Sequence, residues 1–173
     1  MNQDLINKAW FFAARAHKEQ NYPGEELPYL THIGNVVLEV MGVVHTLKNK
    51  DLAVLCAILH DTIEDTAVSY EDIKREFGEM VANGVLALSK DTKLPKKIQM
   101  QDSLVRIKQE PKEIWVVKMA DRIANLQKPP LYWGQEKIQG YKNEALLIYK
   151  ELYSANELLA KRLAKKISLY NKD

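Results

Sequence analysis

The chain has 173 residues, 25 basic and 23 acidic side chains, a formal net charge of +2, and 46% hydrophobic residues. This length suits one domain, 1–173, with a core that needs no disulfide, and the near-neutral balance speaks against a nucleic-acid scaffold. The lone Cys56 excludes an internal disulfide framework and fits a cytoplasmic setting, and the longest apolar run, Leu52 to Leu59, is too short for a bilayer, so no membrane partner is expected.

The elements read as helical nearly throughout. Leu5, Ala9, Phe12, Ala13 and Ala16 recur at three- and four-residue steps, which predicts a first helix to about Glu19. The N-terminus shows no basic region followed by an apolar stretch, so no signal peptide is expected. Pro23, Gly24 and Pro28 mark a loop from Asn21 to Pro28. Ile33, Val36, Val37, Val40 and Val44 predict a second helix from Thr31 to about Val44, and Asp51 to about His60 a third, apolar on most sides and therefore central. Ser69, with Asp72 three residues on, has the form of an N-cap, and Gly78 suits the end of that short helix.

A helix over Glu79 to Ser89 follows. Pro95 and Pro111 suit the N1 positions of helices ending near Glu110 and Leu126. Lys128-Pro129-Pro130 stops the second of these, and the remainder reads as helices over about Gln135 to Ser154 and Ala155 to Tyr170. No alternating stretch demands a strand. Lys161, Lys165, Lys166 and Lys172 form a solvated face near the end. The fold class is therefore all-α.

The chemistry concentrates in His60-Asp61-Thr62-Ile63-Glu64-Asp65, which follows the most apolar helix. His60 and Asp61 diverge by about 100° on a helix, yet both can flank one ion beside its end. Glu64 and Asp65 each lie four residues beyond one of them, one turn along if the helix persists. An adjacent His and Asp arises by chance in many chains, and acidic residues after an apolar helix are an ordinary exit into solvent. Two further residues weigh against that bland reading. His32 opens the second helix, and Asp121 lies in the amphipathic Val116–Leu126 segment on a face with Val117, Lys118 and Asn125. An Asp there calls for a partner or a metal. Two imidazoles and two carboxylates suit Mn²⁺, Fe²⁺, Co²⁺ or Zn²⁺ better than Ca²⁺ or Mg²⁺.

His32, His60-Asp61 and Asp121 resemble the H…HD…D signature of the HD phosphohydrolase superfamily. The likeness extends to the hydrolase domain of Rel/Spo stringent-response proteins and the small stand-alone alarmone hydrolases. It is carried by Ala13-Ala14-Arg15-Ala16-His17, Pro28-Tyr29-Leu30-Thr31-His32, Leu59 through Thr66, Ala120 through Leu126 and Trp133 through Tyr141. The resemblance implies an HD-like helical bundle with one Mn²⁺, or another divalent transition metal, on His32, His60, Asp61 and Asp121 in a central cleft. It implies hydrolysis of the 3′-pyrophosphate of ppGpp-like nucleotides, with Glu64 and Asp65 handling the attacking water and Asn125 and Tyr141 contacting the nucleotide. One departure stands out. Where that family carries an Arg-Lys pair that packs on guanine, this chain reads Gln20-Asn21-Tyr22-Pro23-Gly24-Glu25-Glu26-Leu27, so Tyr22 is the candidate to stack on a base.

Lys118 and Arg122 flank Asp121, and either could hold a phosphate or form a structural ion pair. His17 and His45 read as satisfied or surface histidines rather than ligands. The absence of any His after His60 disfavours a dinuclear site. Trp10, Phe12, Trp115 and Tyr149 read as core or half-buried aromatics. Three readings follow from different classes. The leading one is a phosphohydrolase of a small nucleotide, with an oligomer compatible. The others are a non-catalytic metal- and nucleotide-binding sensor of the same fold, against which intact Glu64 and Asp65 argue, and a structural adaptor with no metal at all.

Overall fold

The structure is a computed structural model that describes residues 1–129 and 132–170. Ten α-helices follow one another: α1 (Gln3–Ala16), α2 (Leu30–Met41), α3 (Lys50–Leu59), α4 (Thr62–Asp65), α5 (Tyr70–Phe77), α6 (Glu79–Leu88), α7 (Lys96–Ile107), α8 (Lys112–Asn125), α9 (Gln135–Leu152) and α10 (Glu157–Leu169). Short 3₁₀ turns lie at Val44–Thr46 and Tyr153–Ala155. Among the described residues there is no strand, and only one isolated bridge, Asn21 to Pro28, pinches the α1–α2 loop.

α3 is the axis of the molecule. Every residue from Leu52 to Leu59 is buried, as its nearly all-round apolar pattern requires. α1, α2, α6 and α8 pack around it, and α2 also packs on α8. The start of α3 is fixed twice. The Asn49 side chain accepts from the Leu52 N–H at 3.0 Å, and the Asn49 N–H donates to Glu113 Oε1 of α8 at 2.8 Å. Gly84 of α6 faces this axis at a contact too tight for a side chain, since a Cβ there would lie 2.5 Å from Ile114 Cδ1 and 2.9 Å from Cys56 Sγ.

Helix starts follow local chemistry. Ser69 and Asp72 form a reciprocal capping box on α5. Gly78 ends α5 at φ 89°, a left-handed backbone that a β-carbon would strain, and α6 begins at once. Pro95 and Pro111 sit at the N-cap rather than N1, because their ψ angles of 135° and 152° are still extended. α2 stops at Met41 rather than Val44, with the 3₁₀ turn taking up the difference. α8 ends at Asn125, ahead of Lys128 and Pro129; Pro130, the second proline of that expected stop, and Lys172 lie outside the described residues. No helix among the described residues is long and apolar enough to cross a membrane.

Candidate metal centre and adjoining cavity

Three packed helices deliver four donors to one point. His32 sits in the first turn of α2, His60 caps the C-terminus of α3, Asp61 follows it, and Asp121 comes from the buried face of α8. The His60 ring donates through Nδ1 to the Ala57 carbonyl at 2.9 Å, which turns Nε2 toward the cluster. His60 Nε2 lies 3.2 Å from His32 Nε2 and 2.8 Å from Asp61 Oδ2. Asp61 Oδ2 also approaches His32 Nε2 at 3.4 Å, and Asp121 Oδ1 lies 3.6 Å from the same atom. His32, His60 and Asp121 each offer a donor atom within 4.8 Å of the others, so these three can hold a metal ion, and Asp61 touches both imidazoles of the group.

The charges at this point are interlocked. Burial opposes a charged His60, but the Asp61 carboxylate, its hydrogen bond and Asp121 outweigh it, and the imidazole pKa is pushed up to about 9. Burial likewise opposes the Asp61 anion, yet His60 and His32 hold its carboxyl well below the ordinary range. Asp121 is also lowered, with Lys118 and His60 overcoming burial. Two buried imidazoles thus converge on two carboxylates, Asp121 buried and Asp61 partly so. A dication satisfies the same carboxylates and uses both Nε2 lone pairs, so the donor set fits a divalent transition metal.

Each surrounding side chain has a definite place. Lys118 Nζ lies 3.1 Å from Asp121 Oδ2, and Asn125 Nδ2 donates to Asp121 Oδ1. Lys118 is therefore buried against a donor and does not line the cavity described below. The acidic pair of the sequence divides. Glu64 Oε2 accepts from the Lys90 N–H at 2.7 Å, with Lys90 Nζ 3.7 Å from Oε1. Asp65 is exposed beside the centre, 3.5 Å from the Tyr29 hydroxyl. Partial burial, Asp61 and Glu64 together push its carboxyl up to about 6.

A cavity of about 970 Å³ opens beside the donors. Its lining includes Tyr22 and Glu25 of the α1–α2 loop, Thr31 and Asn35 of α2, and Asn125, Trp133 and Tyr141. The link to the centre is direct, since Asn125 also bonds Asp121 and the Tyr22 ring lies 6.3 Å from that of His32. The Tyr141 ring is held edge-on by Trp133 at 5.3 Å and faced by the Arg122 guanidinium at 4.3 Å. Of the candidates in the sequence, Tyr22, Asn125 and Tyr141 meet here. His17 is buried rather than on the surface, and His45 is exposed. Asn35 and Trp133 went unnoticed as cavity residues, although Asn35 stands one turn from His32 on the same helix. Tyr29, the partner of Asp61, left no signal in the residue spacing.

Fold and site together define an all-helical protein built around one His/Asp cluster that could hold a metal ion. A family model described as HD domain matches residues 9–158. The chain belongs to the HD domain family. It is 32% identical over 169 residues to the guanosine-3′,5′-bis(diphosphate) 3′-pyrophosphohydrolase MESH1 of Xenopus tropicalis, covering 92% of this chain and 90% of that protein. It is 33% identical over 152 residues to the guanosine-3′,5′-bis(diphosphate) 3′-pyrophosphohydrolase of Aquifex aeolicus, covering 85% of this chain but only 21% of that longer protein. A solved structure described as a metazoan ortholog of SpoT that hydrolyzes ppGpp superposes with a TM-score of 0.84 at 25% identity, covering 96% of both chains. A Listeria monocytogenes protein of 20% identity shares the fold, with a TM-score of 0.68 over 84% of this chain and 98% of its own. With these relatives the chain is a metal-dependent phosphohydrolase resembling the Rel/Spo-type hydrolases.

Proposed function

We propose that this enzyme is a 3′-pyrophosphohydrolase of ppGpp-like nucleotides, working with a single Mn²⁺-class ion on His32, His60, Asp61 and Asp121. The observation that carries the reading is the buried His/Asp cluster beside an aromatic cavity of nucleotide size, joined to it by Asn125, which lines the cavity and bonds Asp121. The named relatives supply the substrate class. A bound dication supplies charge for a phosphate oxygen and lowers the pKa of water.

The chain's own residues do the rest. Asp65, exposed beside Tyr29 and Asp61 with a raised pKa, accepts the proton of the attacking water. Glu64, anchored by Lys90, keeps the short helix α4 and hence Asp65 in register. The water oxygen bonds to phosphorus as the bond to the ribose 3′ oxygen breaks, that oxygen takes a proton from solvent to become the 3′ hydroxyl, and pyrophosphate is released. Lys118 and Asn125 hold Asp121 from both sides. Tyr22, Trp133 and Tyr141 offer the base flat apolar surface. The side chains that line the cavity include Lys128 and Glu25 but no Arg-Lys pair, which favours stacking over guanine-specific recognition.

The test is release of pyrophosphate from ppGpp and from its adenine analogue in the presence of Mn²⁺, for wild type, Glu64→Gln and Asp65→Asn. Turnover by wild type and a loss of about 10²-fold in Asp65→Asn with metal retained are expected. Metal and nucleotide binding without turnover in wild type would leave the sensor reading in place of the enzyme.

A further inference from the structure

Asp61 is the donor least held by its own backbone. It stands between α3 and α4 at φ −98° and ψ −2°, and its side chain caps neither helix. Asp121 is gripped by Lys118 and Asn125, within one helix. For Asp61, the one hydrogen-bond donor besides the two imidazoles among the described residues is the Tyr29 hydroxyl, at 2.6 Å from Oδ2. That is the same oxygen that faces His60 and His32.

Tyr29 is itself braced. Its ring stacks on the His17 imidazole at 4.9 Å and 27°. His17 Nδ1 donates to Gln20 Oε1 at 2.7 Å, Gln20 Nε2 donates to the Asp65 carbonyl at 2.6 Å, and the Tyr29 N–H donates to the Gln20 carbonyl at 2.9 Å. A closed circuit thus runs from Tyr29 to Asp61, along α4 to Asp65, and back through Gln20. Between Gln20 and Tyr29 lies the loop that carries Tyr22 and Glu25 into the cavity, closed at its neck by the Asn21–Pro28 bridge.

We infer that Tyr29 is a positioning residue for Asp61, and that with Gln20 it ties the cavity loop to the metal and proton-handling carboxylates. A phenol keeps its proton at working pH, so Tyr29 is the donor and Asp61 Oδ2 the acceptor. A ligand carboxylate fixed by an outer hydrogen bond keeps its oxygen on the ion, and such partners govern metal affinity. The inference rests on the metal reading proposed above.

The experiment compares wild type, Tyr29→Phe and the remote control Tyr153→Phe. Affinity for Mn²⁺ is measured by chelator competition, the visible spectrum is recorded with Co²⁺, and kcat and KM are measured at saturating Mn²⁺. Tyr29→Phe keeps the ring on His17 and removes one oxygen. The expected result is a metal affinity weaker by about 10–100-fold, an altered Co²⁺ spectrum, and a fall in kcat with KM nearly unchanged. Tyr153→Phe is expected to match wild type. Equal metal affinity and an identical spectrum in Tyr29→Phe would overturn the inference alone, as would a lowered Tm with metal affinity intact. A wild type that takes up neither metal would overturn the metal reading itself. Should Tyr29→Phe not fold, Gln20→Met breaks the circuit at its other end. The same readouts apply, with a severalfold loss of metal affinity expected and an unchanged value overturning the inference.

Discussion

The proton-accepting role of Asp65 makes a quantitative claim about pH. An ordinary aspartate titrates near 3.8, but partial burial and the charges of Asp61 and Glu64 push Asp65 up to about 6. Only the anion accepts a proton, so activity is present above that value and is lost as pH falls through it. With a midpoint of about 6, about ten in eleven molecules are ionised at pH 7 and about one in eleven at pH 5, so kcat/KM drops by up to about tenfold between them, and by less as a bound dication offsets the Asp61 charge. The stability sign runs the other way. The folded state binds this proton more tightly than the unfolded chain, so at Asp65 folding gains as pH drops from about 6 toward 4, and acid loss of activity is separable from unfolding. The assay is a pH profile of pyrophosphate release at saturating Mn²⁺, with circular dichroism at each pH, for wild type and Asp65→Asn. Wild type should show a one-proton acid limb with a midpoint no higher than about 6. Asp65→Asn should be slower by about 10²-fold and lack that limb. The same limb at the same midpoint in Asp65→Asn would refute the assignment.

Replacing His60 or Asp121 by Ala should abolish stoichiometric metal and activity together, read by elemental analysis of the purified variants, and full metal content in either would sink the site. For the base, kcat/KM on guanine and adenine forms of one pyrophosphorylated nucleotide should differ by less than about 100-fold, and Tyr22→Ala should lower both; a larger guanine preference would contradict stacking by Tyr22. Gly84→Ala should cost about 1–2 kcal/mol in chemical denaturation, because the new methyl meets Ile114 and Cys56 and the helix-propensity gain offsets only part of that strain; an unchanged or raised stability would show that the α6 contact relaxes freely.

The residues proposed to hold the metal were legible because helical periodicity exposes anomalies. Asp121 interrupts a buried face, and His60-Asp61 ends a helix with no polar side. The same periodicity placed Asn125 beside Asp121, and the structure keeps them bonded. Pairings between distant segments were not legible. Lys118 stands three residues before Asp121, but that the two meet in a buried setting depends on how α8 is covered by its neighbours. Glu64 and Lys90 are 26 residues apart, and Tyr29 and Asp61 are 32 apart. No spacing rule brings such residues together, since their meeting is set by how α2, α4 and α6 dock. The prolines show a finer limit. Both mark helix starts, but only the backbone angles reveal that each stands one position outside.

His32 and Asp121 sit on helices packed into the core, with His60 and Asp61 at a helix end beside them, whereas Tyr22, Glu25, Gln127 and Lys128 line the cavity from irregular backbone. This separation makes the protein evolvable in one direction. Such loop positions can be exchanged with little effect on folding, because loops carry few of the contacts that hold the bundle together. A lineage could therefore drift from one nucleobase to another while the reaction centre passes unchanged from ancestor to descendant. A library randomised at those four positions and selected on different nucleotides would retrace that drift, with ion uptake preserved throughout.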